Sequence, residues 1–66
     1  MRGSPWLCFS AEEYLEARRP EWEPFERQGH ICFRDFGRGE PCFGINTDFI
    51  PSNVLDTLRA IAAARR

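Results

Sequence analysis

The chain has 66 residues, nine arginines, no lysine and a formal net charge of −1. That length supports one domain with a small core, and the charge lacks the long-range pull toward nucleic acid or anionic lipid that a basic domain exerts. No apolar run approaches the ~20 residues that cross a bilayer, and "MRGSPWLCFSAEE" is too poor in apolar residues for a signal sequence, so neither nucleic acid nor membrane is expected as a direct partner.

Three cysteines are an odd number, which argues against a closed disulfide framework and for a cytoplasmic setting. Arginine as the only basic residue besides a single histidine, together with the Ala-rich C-terminal stretch, suggests a GC-rich bacterial or phage coding bias.

Residues 1–4 are expected to be disordered. "PWLCF", residues 5–9, reads as a short extended segment able to serve as a third, N-terminal edge strand. Ser10 and Glu13 then form a capping box, with Phe9 before the cap and Tyr14 at the fourth helical position as its hydrophobic staple. The helix is expected from Ala11 to about Arg19, where Pro20 disfavours helical geometry in its predecessor. "RRPEWEPFERQG" holds two prolines four residues apart and reads as a structured connector, with one helical turn opening at Pro24 and ending at Gly29. Trp22 and Phe25 would anchor it to the core.

Residues 30–36 and 41–47 are rich in Phe, Ile and Cys and are bounded by Gly and Pro, a hairpin pattern. A three-residue Gly37-Arg38-Gly39 loop, with Gly39 in the left-handed conformation, sets Phe36 opposite Glu40, Phe33 opposite Phe43 and Ile31 opposite Ile45. Ile31, Phe33, Phe43 and Ile45 then share one face, and His30, Cys32, Arg34, Phe36, Cys42 and Asn46 share the other. A final helix is expected from about Asn53 to Arg65, capped by Ser52 or Asn53 with Asp56 near its positive end. Its stripe of Val54, Leu55, Leu58, Ile61 and Ala62 would cover the Phe/Ile face. The N-terminal helix would shield part of the other face or an edge. The fold class is therefore α+β: one two-layer domain over residues 1–66.

His30, Cys32 and Cys42, with Cys8 brought from elsewhere, contain the donor types of a Cys3His metal site. The close C-x-x-C pairing of structural zinc sites is absent, and no cofactor is expected. A Cys–His nucleophile pair would need an oxyanion-stabilising loop, and the Gly-Arg-Gly turn lies at the far end of the hairpin from His30. Gly37-x-Gly39 joins strand to strand and lacks the context of a phosphate-binding loop.

Function is instead read from surfaces. Glu12, Glu13, Glu16, Glu21, Glu23 and Glu26 form an acidic run diluted by Arg18, Arg19 and Arg27. The expectation is a non-enzymatic protein-interaction module, an inhibitor, immunity or antitoxin-like protein that occludes a basic surface of a larger, nucleic-acid-processing enzyme. Its contact residues would be Glu12, Glu13, Glu16, Trp22, Arg34 and Arg38. Two alternatives stand beside it: a metal or thiol protein built on His30, Cys32, Cys42 and Cys8, and a structural subunit of an oligomer. A core this small also makes a homodimer an expected state.

Overall fold

The computed structural model describes residues 5–65, so the expectation for residues 1–4 lies outside the described residues. Its elements run β1 (Trp6–Phe9), α1 (Ala11–Ala17), a 3-10 turn (Pro20–Trp22), α2 (Glu23–Arg27), β2 (Ile31–Asp35), β3 (Pro41–Asn46) and α3 (Ser52–Ala64). The three strands form one antiparallel sheet in the order β1-β3-β2. The architecture is a small α+β domain, and the N-terminal segment does supply a third edge strand.

Helix α1 starts where the local sequence requires. The Ser10 hydroxyl accepts from the Glu13 N–H at 3.1 Å, and the Glu13 carboxylate accepts from the Ser10 N–H at 3.1 Å. Phe9 and Tyr14, the staple pair, are both buried in one core cluster. The helix stops at Ala17, two residues before the expected end. Arg18 already has extended backbone, and its N–H closes the last turn on the Tyr14 carbonyl at 2.8 Å.

The connector folds as a 3-10 turn running into α2, with Trp22 only 3% exposed at their junction. It ends on Gly29, at φ 84°. The Gly29 N–H reaches the Glu26 carbonyl and the His30 N–H reaches the Phe25 carbonyl, at 3.1 and 2.9 Å. This is the paired bonding of a Schellman cap, and it needs a residue that tolerates positive φ.

The hairpin register is the one the apolar pattern demands: Ile31 pairs with Ile45 and Phe33 with Phe43. The strands part earlier than expected, after Asp35 and Pro41, because the Asp35 carboxylate collects three backbone donors. Gly37, Arg38 and Gly39 donate to its Oδ1 at 2.7, 2.9 and 3.2 Å. Both Gly37 and Gly39 take positive φ, 92° and 88°. Phe36, expected to face Glu40 in the ladder, is released into the loop and folds back over Gly44. A Cβ built on Gly44 would lie only 2.2 Å from the Phe36 ring.

Helices α1 and α3 lie on the same side of the sheet. Tyr14 stacks on Phe43 at 4.1 Å, and Val54, Leu55 and Leu58 of α3 join Phe9, Tyr14, Ile31 and Ile45 in one buried cluster. The expectation that α1 would shield the opposite face or an edge is corrected here. Phe9 pairs with Phe43 and so points to the Phe43 side, and the staple holds α1 there too. Helix α3 carries the expected stripe, but its N-cap is Pro51, one residue before Ser52 and two before Asn53, with no side-chain cap bond. Pro51 has no side-chain acceptor; its carbonyl receives the Val54 N–H at 3.1 Å.

Candidate interaction surface

Strand alternation sends Trp6, Cys8, Cys32, Arg34, Cys42 and Gly44 to the sheet face away from the helices. Gly44, at the centre, leaves the room that the Phe36 ring fills. Trp6 lies against that ring with centroids 5.7 Å apart, and the Arg34 guanidinium stands 4.8 Å above it. The outer face is thus a thin aromatic layer with a cation stacked on it, an arrangement worth about 0.5–1 kcal/mol at an exposed site. Trp6 and Phe36 are half-buried, while Arg34 and Arg38 are exposed. Beside this layer, Phe9, Ser10, Glu12, Arg38, Glu40 and Cys42 border an open cleft of about 280 Å³.

The acidic residues are placed differently from the continuous patch their run implies. Arg65, at the end of α3, reaches across to α1 and binds Glu16 at 2.9 Å and Glu12 at 3.2 Å. Glu13 is committed to the Ser10 cap. Glu26 takes two donors from Arg18, at 2.7 and 2.8 Å, and a third from the Tyr14 hydroxyl. These bonds, Arg18's first, hold its carboxyl below the usual range. Burial, then the Glu26 carboxylate, pushes the Tyr14 hydroxyl well above its ordinary value. Glu23 pairs with Arg27 at 2.9 Å. Among the described residues, Arg34 and Arg38 have no carboxylate partner. The outer face thus carries the cation Arg34 without a carboxylate partner, and its loop carries Arg38 together with the carboxylates of Asp35 and Glu40.

Trp22, named as a contact residue, is withdrawn: it sits in the core beside Tyr14, with ring centroids 5.9 Å apart. The same aromatic character that made it a candidate anchor made it the connector's buried peg. Conversely, Trp6 and Phe36 were not singled out as contacts, although the period-two pattern of β1 and β2 already sent both to one face. Three further apolar side chains project into solvent: Leu15, Phe33 and Phe49, at 63%, 51% and 59% exposure.

The members of the Cys/His grouping have separate contacts. His30 stacks on Phe49 at 4.5 Å. The Cys32 thiol donates to the Gly29 carbonyl at 3.1 Å. Cys8 and Cys42 lie near each other on β1 and β3, and burial, followed by the Cys8 thiol, pushes the Cys42 thiol up. No group of three His, Cys, Asp or Glu side chains among the described residues is arranged to hold a metal ion. The N–H groups of the Gly-Arg-Gly loop do converge as an anion nest would. Their acceptor is Asp35 of the same hairpin, whose carboxyl they hold low, the Arg38 N–H most strongly.

No helix among the described residues is long and apolar enough to cross a membrane. No protein-family model, no curated protein and no solved structure matches the chain.

Proposed function

We propose that this chain is a non-enzymatic protein-interaction module that inhibits a larger enzyme by occluding its surface, and that it docks through the outer face of the sheet. The observation that carries this is the cluster of Trp6, Phe36 and Arg34 beside Arg38, aromatic and cationic groups on the one sheet face left without a helical layer. Aromatic residues and arginine are the commonest anchors of protein interfaces, where a flat apolar body and a multidentate donor act together. The Arg34 guanidinium, stacked on Phe36 and without a carboxylate partner among the described residues, favours a partner that presents a carboxylate to it. A basic groove, suggested by the glutamate run alone, fits less well, because Glu12 and Glu16 are already bound to Arg65.

Affinity capture from the native host, followed by titration of the captured protein against variants, tests the assignment. Arg34→Glu and Arg38→Glu should each weaken binding by about tenfold, the order expected for an interface anchor. Glu12→Gln with Glu16→Gln should leave affinity unchanged. The opposite pattern would return the contact surface to α1.

A further inference from the structure

We propose that Cys8 and Cys42 form a dithiol site that low-molecular-weight disulfides oxidise, converting the pair into a bridge between β1 and β3. This is independent of the docking surface above.

Register does most of the work. Cys8 pairs with Gly44 on β3, so Cys42 is its diagonal neighbour on the same sheet face. Cys32 also pairs with Gly44, from β2, and is the diagonal neighbour on the other side. The two diagonals are not equivalent. Strand twist shortens one and lengthens its mirror image. Hydrogen-bond alternation acts as well: Thr47 donates to the Pro5 carbonyl and Asn46 to the His30 carbonyl, both at 2.9 Å. Counting by twos from those bonds makes Cys8–Gly44 a non-hydrogen-bonded pair, with backbones about 4.5 Å apart. Cys32–Gly44 is then a hydrogen-bonded pair, about 5.5 Å apart. Gly44 itself adds no side chain beside the sulfurs; the ring that lies over it is the far end of the Phe36 side chain. The Cys32 thiol agrees with this sorting, since it turns away from Cys42 and donates to the Gly29 carbonyl.

The division of labour follows from exposure. Cys8 is half-buried and Cys42 is buried, yet Cys42 borders the cleft beside Arg38. The Cys8 thiolate attacks one sulfur of the small disulfide, forming a mixed disulfide and releasing a thiolate that takes up a proton. Cys42, having lost its proton to solvent, attacks the Cys8 sulfur and expels the second thiolate. Two protein thiols thus give up two electrons and two protons, and the small disulfide leaves as two thiols. The bridge ties edge strand β1 to the central strand and closes the long loop between them, which stabilises chiefly by restricting the unfolded chain.

Oxidised glutathione is the probe, applied to the full chain and to its Cys32→Ser variant. Both should lose two thiols without dimerising, yield a linked Cys8–Cys42 peptide in a non-reducing digest, and gain roughly 10 °C in Tm. Cys42→Ser should instead accumulate a persistent glutathione adduct on Cys8. A persistent adduct on Cys8 or Cys42 of the Cys32→Ser chain, a bridge through Cys32, an intermolecular bridge, or a linked chain with unchanged Tm would overturn the proposal.

Discussion

Replacing Tyr14 with Phe isolates one hydroxyl in the middle of the fold. The ring would keep its stacking on Phe43 and its contact with Trp22, so the apolar core is unchanged. What is lost is the bond from a fully buried phenol to the Glu26 carboxylate. A hydrogen bond to a charged group contributes about 1.5–3 kcal/mol net. The lower end applies, because Glu26 keeps both bonds from Arg18 and part of its side chain still reaches solvent. The expected cost is about 1.5 kcal/mol, which in a domain of this size lowers Tm by roughly 6–12 °C. Thermal melts followed by circular dichroism measure it. The pH profile supplies a second reading. The carboxyl of Glu26 is held low in the fold, so its contribution is present above its unfolded pKa and fades as pH falls through the folded value. The Tyr14 hydroxyl is pushed up, so its contribution is complete below its unfolded pKa near 10 and fades on further alkalinisation. Tyr14→Phe should therefore flatten the alkaline limb. A variant within 0.5 kcal/mol of wild type, with both limbs intact, would refute the assigned role of the Tyr14–Glu26–Arg18 cluster.

Two further outcomes test the elements around it. Gly44→Ala should dislodge the Phe36 ring, a flexible side-chain end that can swing away, at a cost of about 1–2 kcal/mol for lost burial. In a Phe36→Ala background the same change should cost little; an equal cost in both backgrounds would show that Gly44 acts otherwise. Ser10→Ala removes one half of the capping box and should cost about 1 kcal/mol. The loss should appear in urea denaturation as a lower midpoint with an unchanged slope, and amide exchange at Glu13 should accelerate.

Local and period-based features were legible in the sequence. Ser10, Glu13, Phe9 and Tyr14 are close neighbours whose side chains meet wherever the helix starts, and Ile31, Phe33, Phe43 and Ile45 share a face in only one register. The features that escaped depend on residues far apart. Arg65 neutralises Glu12 and Glu16 from 53 and 49 positions away, and nothing in either local stretch announces the other. The side of the sheet taken by α1 was in principle readable: Phe9 alternates with Cys8, so the staple commits the helix to the side opposite the thiols. The burial of Trp22 illustrates a different limit. An aromatic residue in a proline-rich connector looks alike in sequence whether it is a core peg or a surface anchor. Phe36 shows a third: it covers the face its alternation assigned, but the Asp35 carboxylate reorganised the turn, so it does so from the loop and not from a ladder position opposite Glu40.

The middle strand of the sheet, β3, is the last of the three along the chain. A polypeptide emerging from the ribosome amino end first must carry Trp6–Phe9 without a ladder partner until residues beyond Asn46 are free. The apolar segment Trp6–Phe9 is consequently a waiting strand, finding its place only once β3 is available. The chain's first strand thus docks onto its third, and a truncation or blocked docking at the amino end would leave Phe43 and Ile45 on a bare edge open to another molecule.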